Sequence, residues 1–229
     1  MEYNKLVPGI LIKRKNRFMA EVSLMGQEYL AHVPNSGRLE ELMKPGARVY
    51  LNPQRGKKRK TMWDIVLVRA KKGFVAIDSR IATTLFAEAL KEGKLPELTN
   101  TKIDKSEVAL GNSRLDFQLQ TPQGLMWVEV KSVNLVRNGA ALFPDAPTER
   151  GARHIDELID VQQKGEQCLL FFSVQREDGE FFSPHQEMDP VFSEKVRQAY
   201  EAGVKILAYK SKIEFPYIYL AEKLPLKIY

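Results

Sequence analysis

The fold is decided by residues 113–135, which read SRLDFQLQTPQGLMWVEVKSVNL. Residues 114–119 and 126–133 have the composition of β-strands, and the Thr-Pro-Gln-Gly sequence between them is typical of a turn. Two strands joined by such a turn predict a β-hairpin. The neighbouring helices and strands are placed relative to this hairpin.

The predicted hairpin carries three side chains that can act together. Successive side chains of a strand alternate between its two faces, so Glu129 and Lys131 share one face and Val130 takes the other. Asp116 lies on the partner strand and comes near that pair if the register allows it. Two carboxylates, helped by the Val130 carbonyl, suit Mg²⁺ or Mn²⁺. The ammonium group suits a phosphodiester, because it can orient the attacking water or stabilise developing charge.

An Asp followed by Glu-x-Lys on the next strand resembles the active-site signature of the PD-(D/E)XK nuclease superfamily. The alternative is a solvated salt pair on an exposed strand, because short patterns of common residues also arise by chance. Leu115 stands where the signature has proline, which the chemistry does not need. The Pro144-Asp145 pair is not followed by a Glu-x-Lys strand at hairpin distance, so it is set aside.

The segments around the hairpin have the order expected for that superfamily. Amphipathic periodicity predicts helices over residues 81–91, 148–163 and 190–202, and strands are predicted over residues 103–110, 167–174 and 205–213. This order gives an αβββαβ core for residues 81–229, which we predict to be a nuclease-like α/β domain. Glu88 is the only carboxylate in the middle turns of the first helix and is a further catalytic candidate.

Residues 1–80 predict a separate small β-barrel of the OB type. Five or so short strands and one brief helix over residues 38–44 support this interpretation. Barrels of this type bind nucleic acid through basic loops. The sequence RGKKRK supplies such a loop, whose alternative role is a solvated tip. The nucleic-acid-binding candidates in this loop are Arg55, Lys57, Lys58, Arg59 and Lys60.

Two further clusters are candidates for nucleic-acid binding. His32, Asn35 and Arg38 surround a Pro/Gly turn, for which the alternative is a capped turn before the following helix. Arg150, His154 and Glu157 share one face of a predicted helix, from which Arg150 and His154 can point at the scissile phosphate. The alternative is a set of helix-start charges with an ordinary exposed ion pair.

The composition favours a polyanionic partner and excludes several other classes of protein. A formal charge of +6 and a pI near 9.2 favour binding to nucleic acid. No signal peptide or membrane span is evident, so we expect a cytoplasmic protein. The single Cys168 excludes an internal disulfide and a cysteine-rich zinc site. Nothing in the sequence predicts the oligomeric state.

Four strings together resemble the sugar fermentation stimulation protein family (SfsA): AHVPNSGRLEELMKPG, SRLDFQL, WVEVKSVNL and FPDAPTERGARHIDEL. The resemblance implies an OB-like domain, a PD-(D/E)XK-like domain and a bacterial or archaeal cytoplasmic protein. It also implies binding to DNA without strong sequence preference and a link to regulation of sugar (maltose) metabolism. The family motifs fall on Asp116, Glu129 and Lys131, on His32, Asn35, Gly37 and Arg38, and on Arg150, Gly151, His154 and Glu157, with Glu88 a weaker candidate.

Two functions of different classes therefore stay open at this point. One is a Mg²⁺- or Mn²⁺-dependent nuclease that acts on DNA or RNA. The other is a non-catalytic, non-specific DNA-binding regulator that uses the nuclease fold as a scaffold. No helix-turn-helix signature supports reading of bases, and a small-molecule sensor has no motif behind it.

Overall fold

The computed structural model describes residues 1–3, 5–56, 59–111 and 113–228. Lys57 and Lys58 of the predicted basic loop lie outside these described residues. Within the described ranges, no helix is both long and apolar enough to cross a membrane.

The N-terminal part of the chain is a closed β-barrel. Its strands are β1 (Val7–Asn16), β2 (Met19–Leu24), β3 (Gln27–His32), β4 (Arg48–Pro53), β5 (Trp63–Ala70) and β6 (Gly73–Ala76). They follow the order β3-β2-β1-β4-β5-β6, and His32 also pairs with Asp64, so that β3 closes on β5. Alternating side chains such as Leu11, Val22 and Ile65 fill the interior. The predicted OB-type barrel is confirmed.

The prediction of a helix over residues 38–44 is wrong. The chain forms turns there, with Leu42 and Met43 both donating their N–H groups to the Leu39 carbonyl. Leu39 has a φ of 51°, in the left-handed region that a regular helix of L-residues does not use. All three side chains are buried in the barrel core, so packing decides the backbone path here.

The C-terminal part is built on a six-stranded mixed sheet with helices on both faces. Its elements are α1 (Ile81–Lys91), β7 (Lys102–Leu110), β8 (Ser113–Thr121), β9 (Gly124–Val133), β10 (Leu135–Arg137), β11 (Ala140–Phe143), α2 (Glu149–Gln163), β12 (Gln167–Val174), β13 (Phe181–Pro184), α3 (Pro190–Glu201), β14 (Lys205–Glu214) and β15 (Tyr217–Lys223). The large sheet has the order β15-β14-β12-β9-β8-β7, and β9, β12 and β14 run parallel. The αβββαβ core is therefore confirmed. The small β10-β11-β13 sheet was not predicted.

Strand β12 shows why the central sheet is apolar on both faces. Phe171 packs with Phe86 of α1, whereas Phe172 lies in the core that α2 and α3 cover. A strand that is buried on both faces needs a continuous apolar sequence, and QCLLFFSV supplies one.

The two domains share a core and a set of buried hydrogen bonds. Val66 of the barrel belongs to the same apolar cluster as Phe86. Asn35 donates to Asn134 Oδ1 at 2.9 Å, and Asn134 donates in turn to the Ala76 carbonyl. Because these amides are buried, removing either partner would leave a buried polar group unpaired at the interface. The division at residue 80 stays a prediction.

The loop after β11 fastens a second point of the domain interface. Asp145 accepts hydrogen bonds from the main-chain N–H groups of Arg38 and Leu39, at 3.1 and 2.9 Å. The turn approaches so closely that a Cβ atom on Gly37 would overlap the Asp145 carboxylate. Asp145, which the sequence analysis set aside as part of a chance Pro-Asp pair, thus forms a contact between the domains.

Candidate active site between the domains

Strand β8 changes its packing at Asp116. Leu115 belongs to the core under α2, while Phe117 belongs to the core under α1, although strict alternation would place both on one face. The recorded pairing of β8 with β9 also ends at Phe117 and Val128. Beyond that pair, the Val130 N–H donates to Asp116 Oδ2 at 2.7 Å. The irregularity thus fixes a carboxylate at the point where the strands separate.

Glu129 and Lys131 lie on the face of β9 that α2 covers. Lys131 Nζ donates to Glu129 Oε1 at 2.5 Å, and His154 Nδ1 lies 2.6 Å from the same oxygen. Arg150 Nε donates to His154 Nε2 at 3.2 Å, so Nδ1 carries the proton that is donated to Glu129. The side chains of Glu129 and Lys131 are only 6% and 12% exposed. The structure therefore brings these four predicted residues into one connected group.

The two carboxylates experience opposite electrostatic effects. Burial, followed by the nearby charge of Glu129, raises the pKa of Asp116 to about 7. Burial alone would also raise the pKa of Glu129, but Lys131 and His154 outweigh it, so that the pKa lies below its usual value. The site thus holds one carboxylate that is ionised at neutral pH beside one that is close to its midpoint.

Asp116, Lys131 and Arg150 border a pocket of about 580 Å³ between the domains, and Glu129 and His154 lie behind them. Asp116, Val130 and Lys131 come from the sheet, Arg150 comes from α2, and the barrel side adds the turn around Asn35. Such a volume is typical of a site for a drug-sized ligand. Both domains therefore build the site.

Three charged residues at the pocket were missed by the sequence reasoning. Arg17 and Arg80 come from the barrel side, and Glu107 comes from β7. In the register of β7 and β8, Glu107 lies opposite Asp116, with a φ of 55° that is uncommon for glutamate. None of the three belongs to a recognisable motif, so only the topology could reveal them.

Glu88 is not at this site, which corrects its prediction as a catalytic carboxylate. Its Oε2 atom accepts from the Met1 ammonium group at 2.5 Å. It borders grooves along α1 that do not include Asp116. A helical residue reaches only what its own face meets, and among the α1 residues it is Ala82 and Thr83, near the start of the helix, that reach the pocket.

The predicted turn residues serve mainly the domain interface. Asn35 is buried, its Nδ2 donating to the Ile77 carbonyl and to Asn134, and its Oδ1 accepting from the Gly37 N–H. Its amide is therefore engaged by the domain interface, and its contact with nucleic acid stays a prediction. Arg38 contributes its main-chain N–H to the interface, while its side chain stays exposed.

The described residues of the basic loop, and His32 beside it, have different surroundings. Arg59 and His32 both contact the fully buried Asp64 of β5. Arg55 borders another cavity, and Lys60 is exposed. Binding of nucleic acid by these residues stays a prediction.

Gly151 and Glu157 of the predicted helix motif are packed against neighbouring parts of the protein. A Cβ atom on Gly151 would lie 2.8 Å from the Thr148 side chain, whose Oγ1 accepts the Gly151 N–H and caps α2. Glu157 Oε2 is buried without a hydrogen-bond partner among the described residues. Across the described ranges, no three His, Cys, Asp or Glu side chains form a ready-made metal-ligand group.

A closed OB-type barrel joined to an αβββαβ domain, with Asp116 and Lys131 of its central hairpin at their junction, defines a protein with an OB-type domain and a domain of nuclease-like fold. The family model described as the sugar fermentation stimulation protein RE domain matches residues 80–216, and the SfsA N-terminal OB domain matches residues 12–77. The chain belongs to the sugar fermentation stimulation protein family.

Curated relatives and a solved structure agree with this assignment. The sugar fermentation stimulation protein homolog of Moorella thermoacetica is 44% identical over 211 residues, 91% of each chain. That of Natranaerobius thermophilus is 40% identical and covers 98% of this chain and 97% of its own. The structure of Pyrococcus furiosus SfsA in complex with Ca²⁺ is 33% identical, with a TM-score of 0.94, and covers 100% of this chain and 98% of that chain. The resemblance noted in the sequence is confirmed.

Proposed function

We propose that this protein is a metal-dependent phosphodiesterase that cleaves nucleic acid, DNA or RNA. The observation that carries the proposal is that Asp116 and Lys131 line one pocket between the domains, with Glu129 and His154 bonded behind Lys131. Burying two carboxylates close to each other costs free energy unless a nearby cation compensates their charge.

The residues present fit a divalent cation. Glu129 Oε2 is buried without a hydrogen-bond partner among the described residues, and the pKa of Asp116 is raised mainly by burial and next by Glu129. A nearby cation would relieve both conditions. Asp116 and Glu129, with the Val130 carbonyl, would hold Mg²⁺ or Mn²⁺, which polarises a phosphoryl oxygen and lowers the pKa of bound water. The structure of Pyrococcus furiosus SfsA, a relative over the whole chain, is a complex with Ca²⁺.

The protein side chains have separable roles in this proposal. Lys131 orients the attacking water or stabilises the charge that develops on the phosphate. His154 is a positioning residue, because its bond to Glu129 fixes that carboxylate against the sheet. Arg150 borders the pocket and suits a phosphate through its planar donor fork.

The first experiment is a cleavage assay of the wild type beside Lys131→Ala, on single- and double-stranded DNA and RNA with Mg²⁺ and with Mn²⁺. We expect metal-dependent products from the wild type, and a loss of about a hundredfold or more in the variant. Lys102→Ala is the control, because Lys102 is an exposed β7 lysine away from the pocket. Equal cleavage by wild type and Lys131→Ala would refute the role of Lys131.

A second candidate function is the non-catalytic, non-specific DNA-binding regulator. It is favoured by one observation, namely that Lys131 already pairs with the charge of Glu129, to which His154 is also hydrogen-bonded. DNA binding without cleavage under every metal would establish it. The link to sugar metabolism rests on the family's name, and a cytoplasmic location stays a prediction.

A further inference from the structure

The pocket has a cationic wall that the cleavage chemistry does not require. Metal binding and activation of water need only residues of the sheet and α2. Arg17 of the β1–β2 turn and Arg80, just before α1, face the same pocket from the barrel side. Together with Lys131 and Arg150 they give the pocket four cationic side chains among the described residues.

Arg80 is held in place before any ligand arrives. Its Nη2 donates to Asp64 at 2.9 Å and to Asp78 at 2.6 Å, and its Nε donates to Asp78 at 2.8 Å. Its Nη1 has no hydrogen-bond partner within the part of the chain that the structure describes. The side chain is still 54% exposed. A guanidinium fixed on one edge and open on the other loses little entropy when it binds an anion.

The same buried carboxylate connects the pocket to the basic loop. Asp64 is fully buried and contacts Arg59 of that loop as well as Arg80 and His32. A polyanionic chain that leaves the pocket past Arg80 therefore meets a second arginine anchored to the same residue. This arrangement suits successive phosphates of one strand.

The carboxylates of the pocket do not oppose this interpretation. Asp145 is engaged by two main-chain N–H groups of the barrel turn. Asp116 accepts the Val130 N–H beside the proposed cation, and Glu107 lies opposite it. A bound divalent cation would neutralise the negative charge nearest the scissile position. On the barrel side, Arg80 is paired with Asp64 and Asp78 and offers its Nη1 group to a phosphate, and Arg17 forms no ion pair among the described residues.

The size and rigidity of the cleft limit the form of the substrate. The pocket of about 580 Å³ suits a ligand of nucleotide size, and Lys131, which lines it, has a side chain only 12% exposed. The shared core and the Asn35–Asn134 hydrogen bond stabilise the domains in the arrangement that forms this cleft. We expect a single strand, which can insert one flexible nucleotide, to reach Lys131 more readily than a duplex, whose nucleotide would first have to be flipped out of the stack.

We propose that this cleft binds single-stranded nucleic acid, with Arg80 and Arg17 of the barrel holding the phosphates next to the scissile one. The proposal rests on the proposed function only for the position of the scissile phosphate. Binding of the strand can be measured without cleavage.

The test is fluorescence anisotropy with a labelled oligonucleotide of about 15 nucleotides, single-stranded or paired with its complement, in Ca²⁺ and in EDTA. We expect the wild type to bind the single strand about tenfold more tightly than the duplex. We expect Arg17→Ala to lose about tenfold in single-strand affinity, as for one charge-assisted contact. Arg48→Ala is the matched control, because it removes the same charge from an exposed β4 position outside the pocket.

Arg80→Ala removes a partner from buried Asp64 and Asp78, so its folding has to be checked by circular dichroism. Arg80→Lys keeps the charge and loses the planar fork, and we expect intermediate affinity. Duplex binding as tight as single-strand binding, or an Arg17→Ala variant that matches Arg48→Ala, would overturn the proposal. Selective single-strand binding without cleavage would support it while removing the phosphodiesterase function.

Discussion

Replacing Asp116 by asparagine should make the metal-free protein more stable at alkaline pH. Burial and Glu129 raise the pKa of this carboxyl from 3.8 to about 7, so the folded state binds its proton more tightly than the unfolded state does. A raised acid pKa destabilises the folded protein once the pH exceeds the unfolded value, and the penalty is complete above the folded value. The free energy of unfolding of the variant should therefore rise relative to that of the wild type between about pH 4 and pH 7. The difference should stay constant above about pH 7.

The size of the effect follows from the shift. A rise of about three pKa units at about 1.4 kcal/mol per unit gives an upper limit of about 4 kcal/mol. The asparagine can still accept the Val130 N–H through its oxygen, but its amide N–H₂ needs a partner in a largely buried place. We therefore expect a net gain of about 1–3 kcal/mol at alkaline pH.

The assay is urea unfolding of wild type and Asp116→Asn in EDTA, at about pH 5 and about pH 8.5. The difference between the two proteins should be small at the lower pH and large at the higher pH. Mn²⁺ should stabilise the wild type by about 2.7 kcal/mol at a hundredfold excess over its dissociation constant, and leave the variant unchanged. If the variant has the same free energy of unfolding as the wild type at both pH values, the electrostatic reasoning is refuted. If the variant binds Mn²⁺ as tightly as the wild type in calorimetry, the metal site is refuted.

Three further changes test the domain interface and the basic loop. Gly37→Ala should displace the Asp145 carboxylate and cost about 1–3 kcal/mol in urea unfolding, whereas Gly56→Ala, which meets only ordinary contacts, should cost little. Asn134→Ala removes two buried hydrogen bonds between the domains and should cost about 2–3 kcal/mol; an unchanged unfolding midpoint would contradict their role. Arg55→Ala should reduce the slope of log affinity for DNA against log salt by about one, and an unchanged slope would make the loop a bystander.

The hairpin and its neighbours could be predicted because their signals are local. Helix α1 has the bounds Ile81–Lys91 that its periodicity predicted, and β12 has the bounds Gln167–Val174. The side-by-side position of Glu129 and Lys131 follows from the period of a strand alone. Where the period of a single helix or strand fixes the positions of side chains, the sequence is sufficient to predict them.

The contacts between the domains could not be predicted, because they join residues far apart in the chain. Asn35 looked like an exposed turn residue, yet its partner is Asn134, 99 positions away. Arg80 lies at the junction of the two domains and is oriented by Asp64 of the barrel. The face that Glu88 presents likewise depends on how α1 packs, which its own periodicity does not specify. These positions are fixed by topology.

The buried amide pair across the junction restricts how this protein can be divided during evolution. A gene fusion that gave the nuclease-like half a different partner domain would leave Asn134 facing an unmatched surface, and the half would lose part of its pocket. Exchange of either half for another domain is therefore expected to cost stability and part of the pocket. The two halves should have been inherited together, with substitutions at one side of the junction matched at the other.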